Sequence, residues 1–124
     1  MISTLILTYN EEQNLPACLE SVKWSDDVLL VDSFSTDLTV EVARARGARV
    51  LQNRFTNFAE QRNFGLTQGG LRHHWILHLD ADEIVTPELR DEIANIEQRR
   101  AEANGSGCYT FSGWVAHPGK SRPT

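Results

Sequence analysis

Cysteine is scarce in this sequence and does not cluster: Cys18 and Cys108 stand far apart, and neither belongs to a Cys-x-x-Cys pair or has a histidine at metal-ligand spacing. A disulfide framework and a thiolate metal site are therefore disfavoured, and reduced, buried thiols of a cytoplasmic protein are expected. Basic charge is also short. Twelve Lys and Arg stand against 17 Asp and Glu, giving a net charge of −5, whereas a general nucleic-acid surface needs a clustered basic face. No nucleic-acid partner is expected, and any phosphate ligand would be held by local groups or a metal. Long apolar runs are missing as well. The opening Met1-Ile2-Ser3-Thr4-Leu5-Ile6-Leu7 has no basic leader and is too short for a signal segment or a membrane span. Repeats and low-complexity stretches are absent, and Asn104-Gly105-Ser106 reads as a turn.

What is present is globular in proportion. Hydrophobic residues make up 40% of 124 positions and charged residues 23%, which suits one domain with one modest core. Strands and helices alternate along the chain. Ser3 to Thr8 predicts a first strand, and Leu15, Cys18, Leu19 and Val22 a helix with Asn14 as its cap and Pro16 in its first turn. A second strand runs from Asp27 to Val31 and ends at Asp32. Val40, Val42, Ala43 and Ala45 carry a helix that Gly47 terminates in a left-handed conformation. Ala48 to Gln52 is a third strand, and Asn57 to Gly65 a helix stopped near Gly69-Gly70. Trp75 to Leu79 is a fourth strand, followed by a helix started by Thr86 and Pro87 with Leu89, Ile93 and Ile96 on its buried stripe. Cys108 to Val115 suggests a last strand or hairpin, and 117–124 a flexible tail. The pattern predicts a three-layer α/β domain with a mainly parallel sheet.

Ligands of such sheets bind beyond the carboxyl ends of the strands. Those ends carry Thr8-Tyr9-Asn10, Asp32-Ser33 and Asp80-Ala81-Asp82. Asp80 and Asp82 would project on the same side, since strand side chains repeat every second residue. Like charges so placed oppose each other's ionisation unless a cation lies between them. Mg²⁺ typically takes one or two carboxylates plus substrate phosphates. A metal and diphosphate site is one reading, and an acidic turn leading into a helix is the other. Asp32 could orient a nucleobase or ribose, or cap the helix nearby. Arg62 could meet diphosphate oxygens or stack on a base, or remain a surface arginine beside Glu60. Glu83 stands behind the acidic pair, to support it or to favour the coming helix N-terminus. His73, His74 and His78 match no histidine metal site, and Trp24, Trp75 and Trp114 read as packing anchors.

Four ordered motifs then identify a resemblance. Thr4-Leu5-Ile6-Leu7-Thr8-Tyr9-Asn10-Glu11-Glu12, Val31-Asp32-Ser33-Phe34-Ser35-Thr36-Asp37, Gln61-Arg62-Asn63-Phe64-Gly65 and Leu79-Asp80-Ala81-Asp82-Glu83 resemble those of family 2 glycosyltransferases, above all the branch that adds sugars to the lipopolysaccharide core. The resemblance implies a GT-A fold, a nucleotide-sugar donor such as a UDP-sugar, and inversion at the anomeric carbon onto a glycan or lipid-linked acceptor. It also implies that Thr8, Tyr9 and Asn10 border the base, Asp32 holds the uracil or ribose, and Arg62 helps fix the nucleotide. Asp80 would face the ribose or metal, and Asp82 would ligate Mg²⁺ or Mn²⁺. An enzyme of this kind would work in the cytoplasm or peripherally at the inner membrane.

Two departures qualify that expectation. Leu38 follows Asp37 where many relatives have glycine, so the loop would pack differently. An inverting transferase also needs a carboxylate base, and 113–124 offers none. The chain is therefore expected to hold the N-terminal, donor-binding part over 1–116. The rival is a catalytically incomplete nucleotide-binding module that self-associates into a homo-oligomer. A sugar nucleotidyltransferase is disfavoured, because Tyr9-Asn10-Glu11-Glu12 is acidic and lacks the glycines that cradle a triphosphate.

Overall fold

The computed structural model describes residues 2–73, 75–102 and 115–116. Strand β1 (Ile2–Thr8) is buried over nearly its whole length because it is interior to the sheet. It lies between β2 (Val28–Asp32) and β4 (Trp75–Asp80), while β3 (Arg49–Gln52) pairs beyond β2. All three pairings in this β3-β2-β1-β4 sheet are parallel. The registers set Thr8 opposite Asp32 and Leu7 opposite Asp80, so three polar strand ends finish at one edge.

Chain order explains the layers. From β1 the chain steps to β2 and β3 in one direction, then returns past β1 to form β4. Right-handed crossovers in opposite directions put their helices on opposite faces. Helices α1 (Leu15–Ser21) and α2 (Thr39–Ala45) accordingly pack Leu15, Cys18, Leu19 and Ala43 against Ile2, Ile6, Leu30 and Leu77. Helix α3 (Phe58–Gln68) covers the other face, where Phe64 meets a cluster of Leu5, Leu29, Val31 and Ile76. The alternation of Ile6 to one core and Leu5 to the other is the two-residue period of a strand buried on both sides. Each such fully buried aliphatic contributes about 1.5–3 kcal/mol. Helix α3 rides unusually close to the sheet: a Cβ at Gly65 would sit 2.7 Å from Leu5 Cδ1, and one at Gly69 2.2 Å from Leu29 Cδ2.

After β4 come β5 (Ile84–Val85), α4 (Pro87–Glu102) and β6 (Val115–Ala116), the last pairing antiparallel with β5. Leu89 and Ile93 of α4 join the core on the α1 side. The three-layer α/β arrangement with a parallel sheet is thus present. Caps divide into those that form and those that do not. The Thr86 hydroxyl accepts from the Leu89 N–H at 3.2 Å, Asn57 Oδ1 accepts from the Glu60 N–H at 2.8 Å, and Gly47 adopts φ +86. Asn14 is not a side-chain cap. It takes a helical conformation and its amide donates to Glu11 Oε2 at 3.0 Å. Leu38 sits at φ −87, a conformation that needs no glycine, and Phe34 takes the left-handed position of that loop at φ +59. Cys108, Trp114 and the expected tail at 117–124 lie outside the described residues, as do His74 and the side chain of Ile96. No helix among the described residues is long and apolar enough to cross a membrane.

Candidate functional site

A cleft of about 660 Å³ opens at the carboxyl edge of the sheet, where β1 and β4 flank the point at which strand order reverses. Its walls follow the strand order. The β4 end supplies Asp80, Ala81 and Asp82; β1 and its loop supply Leu7, Thr8, Tyr9 and Glu11; β2 supplies Ser33; and the loop after β3 with the start of α3 supplies Arg54, Phe55 and Phe58.

The acidic end is a closed turn. The Glu83 N–H donates to the Asp80 carbonyl at 2.9 Å, and the Glu83 carboxylate accepts from the Asp80 N–H at 2.7 Å. Glu83 therefore braces the turn. Strand β4 stops at Asp80, so Asp82 reaches the cleft from the turn and not by strand alternation. Beneath it, the buried Cys18 thiol donates to the Asp80 carbonyl at 3.7 Å. Burial first, and then the charges of Glu83, Asp82, Asp80 and Glu11, push its pKa up to about 12. That shift registers a negative field at this end of the sheet. Cys18 is a buried free thiol, as its isolation in the sequence suggested.

Asp32 is fully buried and its carboxylate is committed within the protein. Oδ1 accepts from the Thr8 hydroxyl at 2.7 Å and the Ser35 hydroxyl at 2.5 Å, while Oδ2 accepts from the Ser35 N–H at 2.8 Å and Gln52 Nε2 at 3.3 Å. It closes a turn in its own loop and does not cap α2, whose first N–H donates to Asp37 Oδ1 at 2.9 Å. Asn10, at φ +51, ties the β1 loop to the β2 loop: Asn10 Oδ1 accepts from the Thr36 N–H and the Asn10 N–H donates to Ser35 Oγ, each at 2.8 Å. Thr8 and Tyr9 reach the cleft wall. Asp32 and Asn10 stand behind it as braces, and a ligand would touch the Asp32 carboxylate by displacing one of these bonds.

Arg62 places its guanidinium 5.9 Å from the centre of the Phe58 ring. It is not among the residues that wall the cleft; it backs the aromatic side and, after burial, helps to lower the pKa of His78. Its motif neighbour Gln61, buried to 1% exposure, matters more to the wall. Gln61 Nε2 donates to Ser33 Oγ at 3.1 Å and to the Asn53 carbonyl at 3.0 Å, and its Oε1 accepts from Asn53 Nδ2 at 3.0 Å. Phe55, Phe58, Arg54 and Gln61 were not legible as site residues. The one signal was an aromatic pair flanking the capping Asn57 with no apolar period to bury it. His73 pairs with Asp26 at 2.8 Å at the opposite end of the sheet, away from the cleft.

Asp80 and Asp82 are hard oxygen donors on one wall, and among the described residues no group of three or more His, Cys, Asp or Glu could hold a metal alone. That donor set fits a Mg²⁺ or Mn²⁺ ion completed by phosphate oxygens, and does not fit a closed structural site. The model for glycosyl transferase family 2 matches residues 3–121. This chain belongs to that family. An uncharacterised glycosyltransferase of Rickettsia typhi is 40% identical over 96 residues, covering 77% of this chain and 32% of the relative. The lipopolysaccharide core biosynthesis glycosyltransferase LpsC of Rhizobium meliloti is 30% identical over 95 residues, covering 73% and 34%. Among solved structures, Staphylococcus aureus TarS 1–349 with UDP aligns at TM-score 0.58 and 30% identity over 78% of this chain and 32% of that one. Glucosyl-3-phosphoglycerate synthase from Mycobacterium tuberculosis, with Mn²⁺, UDP and product, aligns at TM-score 0.58 and 25% identity over 68% and 34%. The sheet and its helices are those of the GT-A glycosyltransferases, and this chain spans about a third of the length of the relatives it matches.

Proposed function

We propose that this chain is the donor-binding part, over 1–116, of a family 2 glycosyltransferase. It would take the sugar of a nucleotide-sugar, a UDP-sugar above all, toward a glycan or lipid-linked acceptor, with inversion. The observation that carries this reading is the convergence of Asp80 and Asp82 with Thr8 and Tyr9 on one cleft at the switch point of a parallel sheet. Asp82 and Asp80 hold Mg²⁺ or Mn²⁺, which when bound offsets the charge that builds on a departing nucleoside diphosphate. Thr8 and Tyr9 border the nucleoside. Asp32 orders Thr8 and Ser35, and exchanges its Ser35 hydroxyl bond for a ribose or base donor when the nucleotide enters. Asn10 locks the two loops together, and Arg62 acts on the nucleotide through the Phe58 side of the cleft. Support comes from the family match, from UDP and Mn²⁺ in the glucosyl-3-phosphoglycerate synthase structure, and from LpsC for a lipopolysaccharide acceptor.

Calorimetric titration of the chain with UDP, with and without Mn²⁺, tests the reading. Binding that requires Mn²⁺ and falls at least about tenfold in Asp82→Asn, a differential of about 1.4 kcal/mol, is the expected result. Binding that ignores both Mn²⁺ and that substitution would overturn it. The rival reading is a self-associating nucleotide-binding module without transfer activity. Release of UDP from a panel of UDP-sugars separates the two.

A further inference from the structure

The cleft has a chemical gradient that the acidic motif does not explain. Sheet order β3-β2-β1-β4 sets its two ends three inter-strand steps apart, about 14 Å at ~4.8 Å per step. Asp80 and Asp82 occupy the β4 end, and Phe55 and Phe58 the β3 end. The two phenylalanines meet edge to face, with ring centroids 5.1 Å apart, yet they remain 44% and 59% exposed. They do not belong to either core cluster. Phe58 opens α3 on the face that carries Gln61 and Gly65 three and seven residues on, yet those two are buried while Phe58 stays exposed and lines the cleft. Phe58 is held in place: Asn57 caps the helix directly before it, Gln61 ties the helix to Ser33 and Asn53, and the Arg62 guanidinium lies over the Phe58 ring.

We infer that Phe58, buttressed by Phe55 and Arg62, is the wall on which the nucleobase of the donor stacks. This rests on the donor-binding reading above. A nucleotide whose diphosphate sits at Asp80 and Asp82 extends away from them, across Thr8, Tyr9 and Ser33, and reaches the β3 end with its base. An exposed ring face is what a base can use there, because every base has a π-face and stacking is worth a measurable share of affinity. The guanidinium near Phe58 polarises the ring and restrains its rotation. Tyr9, 58% exposed on the same cleft, supplies a second aromatic surface just past β1.

The test compares two probes in the presence of Mn²⁺, UDP and inorganic pyrophosphate, on the same proteins. Phe58→Ala is expected to weaken UDP about fivefold or more while leaving pyrophosphate affinity unchanged, because only UDP carries a base. Phe58→Trp should keep or raise UDP affinity. Asp82→Asn should weaken both probes. If Phe58→Ala leaves UDP affinity unchanged, or lowers both probes equally, the stacking wall is overturned while the donor site stands on the Asp82→Asn result. Wild-type protein that binds neither probe with Mn²⁺ would overturn the donor site and the wall together.

Discussion

Strand β2 is bracketed by two buried aspartates that solve the same problem in opposite ways. At its lower end Asp27, 3% exposed, accepts from the Ser3 hydroxyl at 2.6 Å and the Arg72 N–H at 2.7 Å through Oδ2, and from Arg49 Nη2 at 2.7 Å through Oδ1. At its upper end Asp32 is held by two hydroxyls, a side-chain amide and a backbone N–H, with no cation among the described residues. The lower carboxylate has its counter-charge built in. Beside the upper one, Glu11, Asp80 and Asp82 line the cleft. Carboxylates gathered at one site favour a cation from solution between them, so the contrast separates a staple from a site.

The contrast is sharpest in its response to Asp→Asn. Guanidinium and backbone N–H groups only donate, so in Asp27→Asn the new NH₂ group would face Arg49 or Arg72 across a donor–donor clash, whichever way the amide is turned. Asp27→Asn is expected to lower the unfolding free energy by about 2–4 kcal/mol, read by urea denaturation, with Mn²⁺–UDP affinity of the folded protein unchanged. Hydroxyls can reverse. In Asp32→Asn the NH₂ group can take the Oδ1 position, where Thr8 and Ser35 rotate to accept, and the expected loss is about 1 kcal/mol. Equal losses for the two substitutions would break the comparison.

Acid should separate the two ends again. Burial raises the pKa of Asp27, but the Arg72 N–H, the Ser3 hydroxyl and Arg49 outweigh it and bring the net value below the usual 3.8. A carboxylate depressed by folding stabilises the folded state above its unfolded pKa and loses that contribution as pH falls through its folded one. Wild-type stability is therefore expected to decline below about pH 4, and Asp27→Asn to show a shallower decline across the same window in acid titrations followed by circular dichroism.

The same contrast marks what a reader of the sequence could reach. Val28-Leu29-Leu30-Val31 announces a strand buried on both faces, and Thr86-Pro87 a helix start, because each rests on local chemistry. Asp80 and Asp82 were legible as a pair, although the strand alternation that recommended them does not place Asp82. The role of Asp32 was not: whether a carboxylate faces a ligand or four internal donors depends on Ser35 in its own turn and on Thr8 and Gln52, which only strand register brings beside it. Arg62 and Gln61 show the same limit. A charged residue draws attention in a motif, yet the neutral neighbour is the one buried against Ser33 and Asn53.

Cys18 tests the field at the upper end directly. The Cys18 thiol is desolvated, and Glu83, Asp82, Asp80 and Glu11 oppose its ionisation, so its pKa lies near 12 where a free thiol has 9.0. The thiolate is the nucleophile, and raising the pKa by burial and negative charge removes it at ordinary pH. Iodoacetamide at about pH 8.5, near the pKa of a free thiol, should therefore leave Cys18 unmodified in folded protein and label it in urea, as followed by mass spectrometry of the peptide that contains it. Because protons leave the folded state later than the unfolded one, stability should also fall as pH rises from about 9 toward 12, the opposite direction from Asp27. Rapid labelling of Cys18 in folded protein under those conditions would mean that the turn above it is open and the negative field weak. The distinction between the stapled lower end and the charge-gathering upper end would then fail at its acidic turn.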